Sequence, residues 1–321
     1  MTTVIVVAER DEKGEIVQST RQAVTAASNL PDAQISVVIT GDALGSATSL
    51  PVGRVVTIAP IESTDNGIYD QATADLAALV SADSPDVVIF SKSDFGSVVG
   101  ARLAFRIGAA FAPDCVEISG DASDAGTIGV TRPVYGGSAL AEFEIASSPA
   151  IVTLRAGAFE PNTDTGAPVV ESFDTDGLER KPVEVSESVA ESREGVRLED
   201  ADFVVSGGRG LGGSEPFSVL ADLAEVLGGA VGASRAACDA GWIDHSHQVG
   251  LTGKSVSPDV YIAVGISGAS QHMAGCSSSR AIVAINKDGD SNIFKEARFG
   301  VVGDWEKVLP SFLATVRELK A

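Results

Sequence analysis

The sequence predicts an α/β protein of two domains: an N-terminal parallel-sheet domain of nucleotide-binding type and a C-terminal Rossmann-like, doubly wound domain. Three observations carry this reading. Short β-branched apolar runs alternate with stretches of helical spacing, the pattern of parallel strands joined by crossover helices. A polar, acidic, proline-containing stretch at 160–197 interrupts the alternation. Beyond it a second alternating series begins, in which three strand ends carry glycines.

The first domain is placed at 1–190. Val4 to Val7, Ile35 to Ile39, Val55 to Ile58 and Val87 to Phe90 have the length and β-branched bias of strands. Ser19 to Asn29, Tyr69 to Val80 and Gly96 to Ile107 have helical spacing. Gly129 to Val134, Ala139 to Ile145 and Ala150 to Arg155 follow one another without helices and predict an antiparallel extension. Lys181 to Val189 predicts a further strand inside the polar stretch. In the second domain, 191–321, strands are predicted at Ala201 to Val205, Ala230 to Gly232, Val260 to Val264, Ala281 to Ile285 and Val301-Val302, and a helix at Phe217 to Leu227. Leu309, Phe312, Leu313 and Val316 recur at i, i+3, i+4 and i+7, the apolar face of a closing helix.

Composition narrows the function. The net charge of −21, from 44 acidic against 23 basic side chains, comes without a basic run or patch. Recognition of nucleic acid through phosphate neutralisation is therefore not expected. Scarce lysine and dispersed aspartate suit a surface that must stay hydrated in high salt, which predicts a halophilic cytoplasm. No apolar run approaches the roughly 20 residues that span a bilayer. The chain enters a strand at Thr2 to Val7 with no basic leader or small-residue cleavage site, so neither membrane insertion nor a signal peptide is expected. Cys115, Cys238 and Cys276 form no C-x-x-C pair. A disulfide framework, a zinc site and an iron–sulfur cluster are unsupported, and a reducing compartment fits best.

The glycine-punctuated strand ends lie at 206–213 (Ser-Gly-Gly-Arg-Gly-Leu-Gly-Gly), 231–235 (Val-Gly-Ala-Ser-Arg) and 261–272 (Tyr-Ile-Ala-Val-Gly-Ile-Ser-Gly-Ala-Ser-Gln-His). Glycine at a strand-to-helix turn lets backbone amides approach an anion, and the helix N-terminus adds partial positive charge. Three such turns in series, with Arg235, Thr252 and His272 beside them, predict a large dinucleotide carrying a polar redox ring. Gly208-x-Gly210-x-x-Gly213 fits the dinucleotide fingerprint between a strand and a helix. That fingerprint also needs an acidic ribose ligand about 20 residues on, where this chain has Ala233-Ser234-Arg235. An ordinary nicotinamide reading fails there, and a simple tight turn competes for the motif.

Other patterns carry less. Gly250-Leu-Thr-Gly-Lys-Ser255 ends like a P-loop, but Gln248 stands where its first glycine belongs. Asp244-His245-Ser246-His247 lacks a third ligand group and reads as a surface loop rather than a metal site. His272 is either a core histidine or a partner for a ligand carbonyl. Its neighbour Cys276 would need an electropositive setting to act as a nucleophile. In the first domain Val7 runs into Ala8-Glu9-Arg10-Asp11-Glu12, which repels phosphate. That domain has a nucleotide-binding architecture without the chemistry, and a partner-facing surface is its expected role.

From Ser206 onward these stretches resemble the α subunit of electron transfer flavoprotein, the FixB family. The resemblance rests on the three glycine segments above extended through Ala236-Ala-Cys-Asp-Ala-Gly241, on Gln248-Val-Gly-Leu-Thr-Gly-Lys254, on Met273-Ala-Gly275, on Ala284-Ile-Asn-Lys-Asp288 and on Gly300-Val-Val-Gly-Asp304. It implies an α/β-subunit heterodimer with FAD held mainly by the C-terminal domain. It implies FAD contacts from Arg209, Ser234, Val249, Gly250, Leu251, Thr252, Ser267, Gly268, Ala269, Ser270, Gln271, His272, Asn286, Asp304 and Trp305. Arg235 and His272 would place positive or donor groups by the isoalloxazine, Thr252 would reach its N5 region, the glycine-loop amides would meet the pyrophosphate, and Asn286 and Asp304 would serve the adenosine end. The family often has glutamine where this chain has Leu251. No catalytic residue is implied: the protein would carry electrons from flavoprotein dehydrogenases to an acceptor such as a membrane quinone oxidoreductase. The competing classes are a nicotinamide-dependent oxidoreductase on a related fold and a nucleotide-sensing interaction protein.

Overall fold

The computed structural model describes residues 1–11, 14–41, 44–58, 66–120, 127–137, 139–175, 178 and 196–320. The chain forms two compact units, one of residues 1–133 and 140–191, the other of residues 134–139 and 192–321.

The first unit contains β1 (Thr2–Val7), α1 (Gln18–Ser28), β2 (Ala33–Thr40), β3 (Arg54–Ile58), α2 (Asn66–Asp83), β4 (Val87–Ser91), α3 (Asp94–Ile107), β5 (Ala110–Cys115), β6 (Glu117–Gly120), β7 (Ile128–Val134), β8 (Ala139–Ile145), β9 (Ala150–Leu154) and β10 (Val169–Phe173). Its main sheet has the order β10-β3-β2-β1-β4-β9-β5, with parallel pairing throughout. Both faces are covered, which explains why its strands are continuous apolar runs rather than alternating ones. Val4 and Val6 of β1 pack with Ala23, Val24 and Ala27 of α1, while Ile5 and Val7 point the other way, toward Leu76 of α2 and Leu103 of α3. Ser93 opens α3 by accepting from the Gly96 N–H at 2.8 Å, and Gly108 closes it in the left-handed region at φ 70°. A separate sheet, β6-β7-β8, pairs β6 with β7 antiparallel.

One expectation is corrected here. Residues 150–154 do not extend the antiparallel hairpin; β9 lies parallel between β4 and β5 in the main sheet. Every residue of β9 is buried. An Ala-Ile-Val-Thr-Leu run without polar alternation belongs inside a two-faced parallel sheet, and that is the signal the hairpin reading overlooks. The sheet also holds β5 and β10, neither of which the sequence pattern places. Pro113 falls within β5, which is the terminal strand of the sheet, the position where proline is tolerated. The strand expected at Lys181 to Val189 lies outside the described residues.

The carboxyl end of β1 leads into Glu9, whose side chain accepts from Ser93 Oγ at 2.7 Å beside the carboxyl end of β4. This is where the strand order of the sheet reverses, the usual ligand crevice of a doubly wound fold. A carboxylate, not a glycine loop, occupies it.

The second unit contains β11 (Phe203–Gly207), α4 (Phe217–Leu227), β12 (Ala230–Ala233), α5 (Arg235–Asp239), β13 (Val260–Val264), α6 (Ser270–Cys276), β14 (Ala281–Asn286), α7 (Ile293–Glu296), β15 (Phe299–Val302) and α8 (Trp305–Lys320). The strand at 203–207 begins two residues later than predicted; the helix at 217–227 and the strand at 260–264 match the sequence reading at both ends. The sheet runs β12-β11-β13-β14-β15, all parallel. Relative to chain order this is 2-1-3-4-5, a doubly wound arrangement that reverses between β11 and β13. Tyr261 and Ala263 of β13 face one core, whereas Ile262 and Val264 face the other with Leu220, Leu223 and the α8 residues Leu309 and Leu313. Phe312 and Val316 complete the apolar face of α8.

Candidate functional site

The turns that follow β11 and β13 meet backbone to backbone. Gly210 N–H donates to the Gly265 carbonyl at 2.9 Å, and Gly208 N–H to that of Val264 at 2.8 Å. A Cβ on Gly208 would lie 2.2 Å from the Gly265 oxygen, and one on Gly210 2.8 Å from it. Gly265 itself adopts φ +64°. These glycines are required by close approach. At Gly213, third in the fingerprint, an added Cβ would meet nothing within 4 Å, and α4 starts only at Phe217. The motif thus serves to pack two loops together at the switch point rather than to pack a helix on its strand.

Around that point the sheet delivers the other expected residues from its carboxyl edge. Ser234 and Arg235 follow β12, and Ser234 N–H donates to the Gly207 carbonyl at 2.9 Å. Ser267, Gly268, Ala269, Ser270, Gln271 and His272 follow β13 and open α6. The segment 248–254 lies against α6: Leu251 N–H donates to the Gln271 carbonyl at 2.7 Å. A Cβ on Gly275 would meet Gly250 N at 2.3 Å. Val249 is anchored by its N–H on the Ala233 carbonyl at 2.9 Å. Thr252 is exposed, and its hydroxyl accepts from Gln248 Nε2 at 3.0 Å. Leu251 is 61% exposed. A side chain at that position reaches solvent, so leucine disturbs nothing inside the fold.

Asn286 and Asp304 also sit at this edge, at the ends of β14 and β15, but their side chains serve the fold. Asn286 Nδ2 donates to the Ile266 carbonyl at 2.9 Å, and its Oδ1 accepts from Asp288 N–H at 3.0 Å. Asp304 Oδ1 accepts from Glu306 N–H at 3.1 Å at the start of α8. Trp305 is half-buried against the apolar core beneath α8.

The electrostatics of the edge are mixed. Arg209 is exposed in a short 3-10 turn after Gly208. Arg235 is also exposed and pairs with Asp239 one turn on, Nε to Oδ2 at 3.3 Å. His272 is 7% exposed, and burial lowers its pKa to about 4, with the Val249 backbone partly opposing the shift. It is therefore neutral at pH 7, and of the positive or donor roles expected at this position it can serve only the neutral one, as a donor or acceptor. Its Nε2 lies 3.0 Å from the Tyr261 hydroxyl, while Nδ1 is buried and makes no well-formed hydrogen bond, the Val249 backbone lying beside the ring. Ser234 Oγ is likewise buried and unpartnered. Buried polar atoms are ordinarily satisfied, so two orphans at one edge mark places where a ligand would complete the hydrogen bonding.

The remaining sequence candidates have local roles. Asp244 accepts from Ser246 N–H at 2.7 Å, and Nδ1 of His247 lies 2.8 Å from the Val231 carbonyl. Lys254, of the P-loop-like segment, pairs with Glu199 at 3.1 Å. Burial pushes the Cys276 thiol up to about 12, so it is no thiolate nucleophile. Sequence reasoning misses Tyr261 and Ser206. A tyrosine inside a fully buried strand is the available signal, because its hydroxyl must find a partner.

Comparison with known proteins assigns both units. Residues 4–185 match the family model described as electron transfer flavoprotein domain, and residues 197–277 match that described as electron transfer flavoprotein FAD-binding domain. The electron transfer flavoprotein subunit alpha of Thermoanaerobacterium thermosaccharolyticum is 42% identical over 256 residues, 78% of this chain and 76% of that protein. Protein FixB of Clostridium saccharobutylicum is 38% identical over 256 residues, 78% and 75% of the two chains. The probable mitochondrial electron transfer flavoprotein subunit alpha of Caenorhabditis elegans is 35% identical over 321 residues, 98% and 94%.

Proposed function

The chain belongs to the electron transfer flavoprotein α-subunit family, and on that premise we propose that it binds FAD at the carboxyl edge of its second sheet and works as one half of an electron-carrying heterodimer. The observation that supports the placement is the convergence, at one switch point, of abutting glycine turns with two buried polar atoms the fold leaves unpaired, Ser234 Oγ and His272 Nδ1. The donor set fits a dinucleotide. Backbone amides of the 267–270 turn and of Arg209, together with the Arg209 side chain, suit the pyrophosphate, the Gly208 and Gly210 amides being already engaged with Val264 and Gly265. Arg235, Thr252, Gln271 and His272 suit a polar ring, with Val249, Gly250 and Leu251 forming the loop beside it. Asn286, Asp304 and Trp305 then shape the adenosine end chiefly by holding their loops, since the Asn286 and Asp304 side chains already serve the fold.

Bound FAD supplies reversible uptake and release of single electrons. The chain's part is to hold donors that need no rearrangement when negative charge appears on the ring. Arg235 contributes a permanent charge, tempered by Asp239 and by solvent. Arg235→Ala is expected to lower the potential of the first one-electron reduction by on the order of 20–40 mV, the equivalent of roughly 0.5–1 kcal/mol for a screened charge. Stepwise coulometric titration measures it, and a potential equal to the parent's removes Arg235 from this role.

The partner is proposed to be an electron transfer flavoprotein β subunit. In the first unit Phe105 is 92%, Leu140 64% and Phe143 49% exposed, apolar surface suited to a partner. The proposed donors are flavoprotein dehydrogenases and the acceptor a protein such as a membrane quinone oxidoreductase. This carrier has no substrate turnover of its own and resides in the cytoplasm. Its three cysteines are free thiols, as a reducing compartment keeps them, and no described helix is long and apolar enough to cross a membrane. Equilibrium dialysis should show at least roughly tenfold weaker FAD binding by the isolated chain than by the heterodimer, about 1.4 kcal/mol, because the partner covers the ring. The whole reading is tested by the visible spectrum of the co-expressed pair. One FAD per heterodimer is expected, and a colourless assembly after soaking in excess FAD overturns it.

A further inference from the structure

Behind His272 lies a buried polar group that the flavin reading does not itself use. Tyr261, on β13, is fully buried, and its hydroxyl is 3.0 Å from His272 Nε2 on α6. Ser206, on the adjacent strand β11, and Cys276, one helical turn beyond His272, place a hydroxyl and a thiol beside the same phenol. Cys276 Sγ also reaches the His272 carbonyl at 3.6 Å.

The direction of the Tyr261–His272 bond follows from chemistry. A phenol is a far stronger acid than the N–H of a neutral imidazole, and an imidazole nitrogen is a far stronger base than a phenol oxygen. O–H···N is therefore the favoured arrangement, and it leaves the phenol oxygen free to accept from a neighbouring hydroxyl or thiol. Donation to Nε2 makes Nε2 the acceptor, so the single ring proton must be on Nδ1. Nδ1 makes no well-formed hydrogen bond inside the chain, although the Val249 backbone lies beside the ring.

We propose that Tyr261 is a positioning residue: its hydroxyl donates to Nε2 of His272, fixes the ring proton on Nδ1, and so turns His272 into an oriented N–H donor for an acceptor atom of the flavin ring. The inference rests on the FAD reading above for its ligand, but not for its tautomer. A donor held in this way is present before an electron arrives and strengthens as its acceptor gains charge, without taking up a proton. A tyrosine replaced by phenylalanine keeps the packing of β13 and removes only the lock. The tautomer then relaxes toward a mixture, and the donor is lost from part of the population.

The first test needs no flavin. The chain has three histidines, so imidazole ¹⁵N resonances of the full apo chain at neutral pH can be assigned with His245→Gln and His247→Gln variants. The expected spectrum has His272 protonated at Nδ1 and unprotonated at Nε2, with a shift toward mixed tautomers in Tyr261→Phe. An Nε2–H tautomer in the parent overturns the proposal, whether or not any variant folds, and so does an unchanged tautomer in a folded Tyr261→Phe. The second test uses the FAD-loaded heterodimer. Tyr261→Phe should lower the equilibrium constant for taking up the first electron by roughly 3- to 10-fold, the worth of one oriented hydrogen bond, while FAD remains bound. Bound FAD with an unchanged constant sinks the role of Tyr261 and leaves the functional reading standing. Failure of the parent heterodimer to bind FAD overturns that reading and the flavin half of this proposal, while the apo spectrum still decides the tautomer.

Discussion

Gly208→Ala should all but empty the site of FAD. Gly208 has φ −108° and ψ 178°, a conformation open to alanine, so the backbone itself bears no strain. The methyl group is what cannot be placed. It would sit 2.2 Å from the Gly265 carbonyl oxygen and 2.7 Å from both the Gly265 carbon and Ile266 Cγ1. Two of those three are backbone atoms at the end of a buried strand and cannot swing aside. The turns after β11 and β13 must separate, and the 2.9 Å bond from Gly210 to Gly265 is the first to break. Overpacking of this kind costs roughly 1–3 kcal/mol of stability. Because both turns are proposed to contribute amides to one phosphate group, FAD affinity should fall by about 100-fold, ~2.7 kcal/mol. Flavin absorbance after dialysis of the heterodimer measures the loss, with thermal unfolding recorded in parallel. Gly213→Ala is the matched control, since open space surrounds that position, and it should bind FAD like the parent. Equal binding by Gly208→Ala would remove the switch point from the FAD site.

In the first unit, the change with the largest expected effect is Asp114→Ala. Asp114 stands at the end of β5, where Arg155 Nε reaches its Oδ1 at 2.9 Å, Arg155 Nη2 its Oδ2 at 2.5 Å, and Lys92 Nζ its Oδ1 at 3.5 Å. The Arg155 side chain is only 8% exposed. Removing the carboxylate strands a buried guanidinium, which should cost roughly 3 kcal/mol. Urea denaturation at pH 7 measures the cost. The same contact sets an acid dependence. Burial alone would raise the Asp114 pKa, but the Arg155 hydrogen bonds and the charges of Lys92 and Arg155 outweigh it and hold the value below 3.8. A folded value below the unfolded one means the contribution is complete above about pH 4 and is lost as pH falls through the folded value. The parent and Asp114→Ala should therefore differ in stability at pH 7 and converge on acidification. Asp114 adopts φ 60°, where alanine is less at ease than aspartate, so a difference that persists unchanged into acid would show that packing and this backbone strain, not the ion pair, hold the corner.

How much of this can be read from residue order alone differs by element. Helix α4 and strand β13 are legible to their observed ends because each is a strong local pattern with clear stops: Gly228 closes the one and Gly265 the other. The place of β9 is not legible, because strand identity is local while strand pairing is not. Nothing in Ala-Ile-Val-Thr-Leu says whether its neighbour is the preceding hairpin or β4, far earlier in the chain. β5 escapes notice because Pro113 is a poor strand residue everywhere except at an edge, and being an edge is a property of the sheet.

The site divides in the same way. Glycines 208, 210, 250 and 268, Ser234, Arg235 and His272 can all be picked out as residue types, since backbone approach and hydrogen bonding to an anion or a ring demand them. What each one does waits on the fold. His272 takes the donor rather than the positive of its two expected roles because burial penalises its charge, and Asn286 and Asp304 are tied into turns. Gly208, Gly210 and Gly265 need one another, though the last is far from the other two in the chain. Local chemistry sets which groups are available and which backbone shapes they permit. Burial, protonation and partnership depend on atoms brought together from distant segments, and those are decided only when the strands take their places in the sheet.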